Sequence, residues 1–405
     1  MDGEFLSAEE AAQALGVSVH TLYVYVSRKG IRSQSVPGTR SRVYWKPDID
    51  RVRRREPPRP PEVGKLRYET QLTLITENEF YYRGLSALDL ARRASFESVA
   101  ALLWEAPEDA CFGPTAPVTP ALYASIGAML APQPELMRAS ILMSLLEDAD
   151  PRALDLSPGG MARTGGDILR WLATIITHQE APATEPLHTS IARSLGRPPA
   201  EAELIRCALV LSADHGFEPG TLAVRAVAST GVTPWRAVMT GMSITAGRRS
   251  RLGVFDAIGR FLTEILASPD PADPVLRRIR EGEPLPGFSS PVYAHGDPRA
   301  RVLLEAFAEV YADDPAFRRL TKALALIQDA CDLQPNFALA NLFLSAKIGL
   351  TQRPSLFHLG RAAGWIAHAI EQYAAGENEH FGGAYRGVLP EQRTSATARP
   401  TAPAA

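Results

Sequence analysis

The sequence predicts an all-α protein of two or three domains. Ala-, Leu- and Arg-rich stretches repeat apolar residues every three to four positions through most of the chain, which is the period of an amphipathic helix. A chain of 405 residues exceeds one ordinary core, and its 45% hydrophobic and 22% charged content is typical of a globular protein. The only clear strand signal is an apolar–polar alternation on both sides of a turn at Glu77–Asn78.

The amino-acid composition limits which classes of protein and which cellular compartments fit this chain. A net charge of −2 means that any nucleic-acid signal must be local. Cys111, Cys207 and Cys331 are scattered in apolar surroundings, so we expect buried free thiols in a reducing cytosol. The acidic, polar N-terminus is unlike a signal peptide, and no stretch of 18 residues is free of charges and apolar enough to span a membrane. We therefore expect a cytoplasmic protein with no membrane contact.

Two proline-rich segments predict domain boundaries. Residues 57–65 belong to the sequence REPPRPPEVGK and predict a stiff linker, so that residues 1–56 form a separate domain. Residues 391–405 are rich in Thr, Ala and Pro and predict a disordered tail.

The first domain has the pattern of two helices joined by a tight turn. Ser7 and Glu10 form a capping box at the start of the first helix. Gly16 permits the turn, and Ser18 caps the second helix. Two β-prone pieces then flank Pro37–Gly38, as in the wing of a winged helix-turn-helix domain, and a third short helix is predicted from Asp48.

A basic patch follows the second helix. Residues 28–55 contain ten Lys or Arg against two acidic residues, which is the charge pattern of a phosphate-binding surface. Residues 10–23 read E-A-A-x-x-L-G-V-S-x-x-T-L-Y, and the domain resembles the excisionase/MerR type of DNA-binding domain. That resemblance places the second helix in the major groove. The alternatives are a charged face that is only solvated, or a module for protein contacts. The candidate base or phosphate contacts are His20, Thr21 and Tyr25, and the candidate backbone contacts are Arg28, Arg40 and Arg42.

From residue 66 onward, five motifs in order resemble those of citrate synthases. The match implies the citrate synthase fold, with a large domain at residues 66–251, a small domain at 252–346 and a return to the large domain at 347–390. The motifs are YRG, DLA and FESVA within residues 82–100; LSADHGFEPGTLAVRAVAST at 211–230, against the family's L-x-A-D-H-E-x-N-x-S-T-x-x-x-R-x-x-x-S-T; PGFSSPVYAHGDPRA at 286–300, against P-G-F-G-H-P-x-Y-x-D-G-D-P-R-A; QPNFALA at 334–340, against P-N-V-D-F-A-L-A; and GRAAGWIAHAIEQ at 360–372, against R-x-x-G-W-x-A-H-x-x-E-Q.

The resemblance implies a condensation of acetyl-CoA with oxaloacetate. In the family a carboxylate and two histidines handle protons, while arginines and another histidine hold the oxaloacetate carboxylates. The substrate-holding positions are kept as His215, Arg299 and Arg361, although each is also a candidate for a purely structural role. The further arginine that the family supplies across the dimer has no clear counterpart, because Arg386 lies only nearby.

The proton-handling positions differ. They align with Ser250, Ser290 and Asn336, and neither serine nor asparagine is a usable acid or base near neutral pH without a partner. Each such group typically contributes about 10²–10⁴-fold to the rate, so we expect no useful turnover by this chain alone. No metal site and no cofactor are predicted, and coenzyme A is considered only as a substrate or ligand.

Three functional hypotheses remain open. The leading one is a catalytically impaired sensor in which a di- or tricarboxylic acid binds between the domains and changes how a dimer binds DNA. The rival is a subunit of an active citrate or 2-methylcitrate synthase, paired with an intact paralogue. The third treats the N-terminal module as a protein-interaction remnant.

Two groups of residues are lesser candidates. Arg248, Arg249 and Arg251 form a cluster that either attracts CoA phosphates or lies on a surface loop. His295, His358 and His368 are predicted to lie at helix ends or on the surface.

Overall fold

A computed structural model describes most of the chain. The described residues are 5–29, 31–36, 41–54, 69–247, 251–288, 290, 292–350 and 355–376. They divide into two compact units, one within residues 5–54 and one within residues 69–376. The predicted linker at 57–65 and the predicted tail at 391–405 lie outside the described residues.

The first unit is a small α/β module. Its sheet has the strand order β1-β3-β2 with antiparallel pairing, in which Ser33 lies opposite Tyr44. A core of Ala11, Ala12, Leu22, Ile31, Tyr44 and Ile49 holds the helices against this sheet. Its elements are β1 (Phe5–Leu6), α1 (Ala8–Leu15), α2 (Val19–Lys29), β2 (Ser33–Ser35), β3 (Arg42–Trp45) and α3 (Lys46–Arg53).

The predicted caps of this unit are confirmed. The Ser7 hydroxyl accepts from the Glu10 backbone N–H at 3.2 Å, and the Glu10 carboxylate accepts from the Ser7 N–H at 2.8 Å. Gly16 ends α1 with φ of 66°, a left-handed conformation that costs glycine little. The Ser18 hydroxyl caps α2 through the Thr21 N–H at 3.1 Å. Helix α3 begins at Lys46, two residues before the predicted start, because Pro47 suits the first helical turn.

The second unit begins with a small sheet and is otherwise helical. The strands β4 (Thr73–Ile75) and β5 (Phe80–Tyr82) pair antiparallel around the predicted turn, and the short strand β6 (Leu85–Ser86) was not predicted. Helices make up the rest of the described regular structure in this unit. They are α4 (Ala87–Arg93), α5 (Phe96–Trp104), α6 (Glu108–Cys111), α7 (Tyr123–Leu130), α8 (Glu135–Ala149), α9 (Pro158–Ile176), α10 (Leu187–Ser194), α11 (Pro199–Ser212), α12 (Pro219–Ala228), α13 (Pro234–Thr245), α14 (Arg251–Ala267), α15 (Ala272–Glu281), α16 (Pro298–Val310), α17 (Pro315–Cys331), α18 (Phe337–Ile348) and α19 (Ser355–Ala375).

Helix α19 is the centre of this unit. Residues 355–370 are buried without interruption, and the helix packs against α5, α9, α11, α12 and α13. A helix that is buried on every side needs small residues where neighbours approach. A Cβ added to Gly364 would lie 2.2 Å from the Ala213 carbonyl oxygen, so the backbone of α19 touches the chain just after α11.

Helices α14 to α18 pack largely on one another. The pairs α14–α18, α14–α17, α15–α17 and α16–α18 are in contact, and α16 and α18 also reach α11. One continuous hydrophobic core runs from β5 to α19 through all these helices. The large and small domain bounds at 251 and 346 stay predictions.

Two further sequence expectations can be compared with the structure. Cys111 and Cys207 are buried free thiols, whereas Cys331 is only half-buried at the end of α17. Among the residues that the structure describes, no helix is long and apolar enough to cross a membrane.

Candidate functional site

The loop that joins α11 to α12 carries His215. Tyr82 of β5 anchors this loop, because its hydroxyl donates toward the carbonyl oxygens of Val210 at 2.9 Å and Asp214 at 3.0 Å. The same hydroxyl accepts from the Asp214 N–H at 3.1 Å. His215 Nε2 then lies 2.8 Å from the Tyr293 hydroxyl, and the edge of the Phe80 ring packs against the imidazole. The imidazole is thus fixed from both the strand side and the α15–α16 loop.

Arg299 is held at the start of α16. Asp297 caps this helix and binds the guanidinium with both oxygens, Nε to Oδ1 at 3.0 Å and Nη2 to Oδ2 at 2.8 Å. Burial acts to lower the pKa of Arg299, but the Asp297 carboxylate outweighs it and raises that pKa. The Phe337 ring lies 5.0 Å from the guanidinium carbon, and Nη1 has no hydrogen-bond partner within the described chain. One donor of a fully charged, buried arginine therefore stays open.

Arg361 lies on α19 with a fully buried side chain. Its Nε donates to the Ser212 carbonyl oxygen at 2.9 Å. Its Nη1 lies 3.3 Å from the Glu218 carboxylate and 3.8 Å from that of Asp214. Both predicted arginines are therefore in ion pairs, which is the structural alternative that the sequence left open, and burial does not by itself exclude ligand binding.

Asp214 connects Arg361 to a longer buried charge network. It accepts from the Thr73 hydroxyl at 2.5 Å and the Gly216 N–H at 3.2 Å, and it lies 3.4 Å from His368 Nε2. Burial acts to raise the pKa of Asp214, but His368, Arg361 and these hydrogen bonds lower it to about 2. Asp214 is therefore ionised at neutral pH although it is fully buried.

The prediction of a helix-end or surface position was wrong for His368, which lies in the middle of α19, whereas His358 lies in the first turn of that helix. Both are buried, at 4% and 0% exposure, because α19 has no solvent-facing side along most of its length. His358 Nε2 lies 2.7 Å from the Thr245 hydroxyl. His295 is exposed, as predicted.

Two of the three positions aligned with proton-transfer groups stabilise backbone. Asn336 caps α18, where its Oδ1 accepts from the Leu339 N–H at 3.2 Å. The Ser290 hydroxyl accepts from the N–H groups of Val292 and Tyr293, each at 3.2 Å. Ser250 lies outside the described residues, as do Arg248, Arg249 and Arg386.

The described positions converge on one region. Ser290 orders the backbone of Tyr293, which contacts His215, and the Asn336 N–H donates to the Gly287 carbonyl oxygen at 2.8 Å in the same loop region. Burial raises the pKa of the Tyr82 phenol, and both Arg361 and Arg299 lie near enough to oppose that rise. We call His215, Arg299 and Arg361 the His–Arg cluster.

Sequence reasoning missed Glu218, Tyr293 and Asp214 as parts of this site. Each stands within a quoted motif, so the motif positions were the available signal. Glu218 also lines a cavity of about 270 Å³ whose described walls include Pro219, Ile244, Thr245, Val254 and Phe255.

Within the described ranges, no group of three or more His, Cys, Asp or Glu side chains is arranged to hold a metal ion.

The candidate nucleic-acid contacts in the first unit differ in how exposed they are. His20 on α2 and Arg42 on β3 are exposed. Thr21 is half-buried and lies 2.9 Å from the Ser18 hydroxyl. Tyr25 is also half-buried, because it packs against the core of this unit, and the Lys29 ammonium lies 5.8 Å from its ring. The Arg28 side chain and Arg40 lie outside the described residues.

Comparison with known proteins agrees with the motif resemblance. A 2-methylcitrate synthase from Mycobacterium tuberculosis is 26% identical over 328 residues, which is 74% of this chain and 82% of that protein. A citrate synthase from Haloferax volcanii is 32% identical over 178 residues, so the match spans 42% of this chain and about half (47%) of that relative. A solved ternary complex of Thermoplasma acidophilum citrate synthase with carboxymethyl coenzyme A and oxaloacetate has a TM-score of 0.66 at 20% identity, covering 81% of this chain and 97% of that one. The family described as citrate synthase, C-terminal domain, matches residues 64–381, which is well over half of the chain, and the chain therefore belongs to the citrate synthase family.

Proposed function

We propose that this citrate synthase family member is a catalytically impaired, ligand-binding regulator. A small carboxylic acid of the oxaloacetate or citrate type binds at the His–Arg cluster, and binding is coupled to DNA recognition by the first unit. One observation carries this proposal. Ser290 and Asn336 serve backbone turns and caps where the family has proton-transfer groups, while His215, Arg299 and Arg361 remain buried together.

The chemistry of the cluster supports anion binding without turnover. A guanidinium with an open donor and a fixed imidazole suit a carboxylate. Abstraction of a proton from an acetyl methyl group needs a positioned base and a stabilised enolate together. An asparagine amide cannot accept that proton, and a serine hydroxyl already bound to backbone N–H groups is a poor substitute for a histidine.

The first unit supports DNA recognition as a winged helix-turn-helix. Helices α1 and α2 are joined by a three-residue turn, and the β2–β3 hairpin follows in the position of a wing. Exposed His20 and Arg42 stand on these two elements, and Tyr23 is 54% exposed on α2. The local excess of Lys and Arg supplies the salt-dependent attraction to phosphates.

Dimer formation completes the proposal. Met129 of α7 and Met137 and Ile141 of α8 expose 76%, 50% and 40% of their surface, so these two adjoining helices carry apolar side chains that a partner chain would bury. A homodimer that covers this face would present two DNA-binding units with two-fold symmetry, as a palindromic operator requires. Pairing with an intact citrate synthase paralogue is the heterodimeric alternative.

A second candidate function is supported by the similarity to the Mycobacterium tuberculosis 2-methylcitrate synthase, which extends over 74% of this chain. In that case the chain is a subunit of a citrate or 2-methylcitrate synthase, and an intact paralogue contributes the catalytic groups. Coenzyme A would then be a substrate of the assembly and not a resident cofactor.

Three measurements on the full-length protein test these proposals. Thermal unfolding with millimolar oxaloacetate or citrate should raise the Tm, and the shift should disappear in Arg299→Gln. Selection from a random-sequence DNA pool should enrich one duplex. Addition of the acid should then strengthen or weaken binding of the protein to that duplex. Release of CoA from acetyl-CoA and oxaloacetate should be absent. CoA release by the protein alone would refute the impairment, and CoA release only with a paralogue would favour the second candidate. No Tm shift together with no DNA retention would refute the regulator.

A further inference from the structure

Among the acidic groups that the structure describes, the carboxylate of Glu218 lies nearest to the Arg361 guanidinium. Glu218 precedes α12, and its side chain is 10% exposed, while that of Arg361 is fully buried. The second acid, Asp214, is farther from Nη1, at 3.8 Å against 3.3 Å. Asp214 also accepts from Thr73 and Gly216 and faces His368, so its charge is shared among several groups. The charge of Glu218 thus lies against the Arg361 guanidinium, and closer to Nη1 than that of Asp214.

This arrangement departs from the family pattern at two positions. The motif L-x-A-D-H-E-x-N-x-S-T has Glu where this chain has Gly216, and Asn where it has Glu218. Gly216 adopts φ of 67°, which disfavours a side chain there, and a Cβ would meet Ile75 at 3.2 Å. Compared with the motif, the acidic residue stands two positions later in the chain, where its carboxylate lies against Arg361. An asparagine at 218 would add no charge and would leave that guanidinium available to a ligand carboxylate.

A ligand carboxylate at Arg361 would have to lie beside Glu218. Two like charges in a poorly solvated pocket repel strongly, and separating Glu218 from Arg361 would leave a buried charge unpaired. Nη2 of Arg361 has no hydrogen-bond partner in the described part of the chain. Since the charge of the guanidinium is already matched, an uncharged oxygen such as a ketone or hydroxyl suits this open donor better than a second carboxylate.

The environment of Arg299 differs from that of Arg361. Asp297 occupies Nε and Nη2 of Arg299 and leaves Nη1 open, with His215 and Tyr293 close by. The family pattern D-P-R-A includes the same aspartate, so this arginine keeps the environment that the motif implies. The cavity beside Glu218 has mostly apolar described walls, which suit an alkyl group and not a carboxylate.

We propose that Glu218 is a specificity-determining residue, which makes the site bind small monocarboxylic oxo or hydroxy acids more tightly than their dicarboxylic counterparts. The single carboxylate binds at Arg299 and His215, the uncharged oxygen faces Arg361, and the alkyl end enters the cavity beside Glu218. This inference rests on the proposed ligand-binding function and ranks its ligands: monocarboxylic acids bind most tightly, and acids of the oxaloacetate or citrate type still bind but more weakly.

A matched pair of ligands tests the inference. 2-Oxobutanoate and oxaloacetate differ only in a second carboxylate, and 2-hydroxybutanoate and malate are the corresponding stable hydroxy acids. Isothermal titration on the full-length protein should show the monocarboxylate of each pair binding about tenfold or more tightly than the dicarboxylate, given the cost of placing like charges together. Glu218→Gln and Glu218→Asn should reverse that preference by relieving the repulsion.

The control is Glu105→Gln, which removes the same charge from a side chain that is 69% exposed and paired with Arg83. It should leave both affinities unchanged. If the wild-type protein binds the dicarboxylates more tightly, the inference is overturned without any variant. It is also overturned if Glu218→Gln has an unchanged circular dichroism spectrum and the same ligand preference as wild type. If neither acid of either pair binds wild type or variant, the proposed ligand-binding function itself is refuted.

Discussion

Nε2 of His215 lies 2.8 Å from the hydroxyl of Tyr293, and this contact joins the loop after α11 to the loop before α16. These loops are nearly 80 residues apart in the chain. The contact fixes the imidazole next to Tyr293, whose phenol is also close enough to Arg299 to be affected by its charge. It is also the point where Ser290 acts, because its hydroxyl orders the Tyr293 backbone.

Replacing Tyr293 with Phe should weaken acid binding. The change removes one hydrogen bond to His215, worth about 1 kcal/mol, so affinity should fall about fivefold in isothermal titration. Tyr123→Phe is the control, since Tyr123 is a buried tyrosine that packs on Trp171. Equal losses in both variants would show that the effect is general destabilisation and not the loss of the His215 contact.

Asn336 should contribute to stability as a helix cap. Asn336→Ala removes the acceptor for the Leu339 N–H and should lower the free energy of unfolding by about 1 kcal/mol in urea titrations. Asn336→Asp should retain that stability, because aspartate caps equally well. If Asn336→Ala is as stable as wild type, the capping role assigned to this side chain is incorrect.

Glu135 should make stability depend on pH. Burial raises its pKa from 4.5 to about 7, although Ser355 and Arg138 oppose the rise. The folded protein therefore binds a proton that the unfolded chain has released between these two values. Stability from this group is complete below about pH 4.5 and is lost as the pH rises toward 7, by about 3 kcal/mol in total.

Glu135→Gln should remove that loss. Urea unfolding midpoints of wild type and variant, measured from pH 5 to 8, should diverge as the pH rises, with the variant the more stable above pH 7. Glu105→Gln, an exposed change of the same kind, should follow the wild-type curve. Parallel curves for wild type and Glu135→Gln would contradict the raised pKa.

Gly364 and Gly127 should respond to alanine in opposite directions. A Cβ at Gly364 would lie 2.2 Å from the Ala213 carbonyl oxygen, so α19 must shift and stability should fall by about 3 kcal/mol. A Cβ at Gly127 of α7 meets nothing within 4 Å, and alanine there should add about 0.5–1 kcal/mol. Thermal unfolding of the two variants measures both; a Gly364→Ala protein with wild-type Tm would contradict the close approach.

Two arginines of the first unit should differ in their effect on DNA binding. Arg42 is exposed on β3, whereas Arg53 pairs with Asp50 at 2.9 Å. Arg42→Gln should reduce the slope of log affinity against log salt by about 0.9, the value for one phosphate contact. Arg53→Gln should reduce it less, because its charge is partly matched. If wild type and Arg42→Gln have identical slopes of log affinity against log salt, Arg42 does not contact a DNA phosphate.

The sequence by itself determined the family and the local structure. Motifs of fixed spacing identified the citrate synthase fold, and short-range signals such as Ser7, Glu10 and Gly16 located caps and turns, because these contacts span only three or four residues. The motifs also marked His215, Arg299, Arg361, Ser290 and Asn336 as one set.

Only the tertiary structure decided what surrounds those side chains. Glu218 meets Arg361 across 143 positions of sequence, and His368 is buried because α19 is enclosed on all sides, not because of its own helical pattern. Charge compensation inside a protein depends on which helices pack together, and apolar periodicity does not encode that. The ion pair between Glu218 and Arg361, on which the proposed ligand preference depends, therefore became visible only in three dimensions.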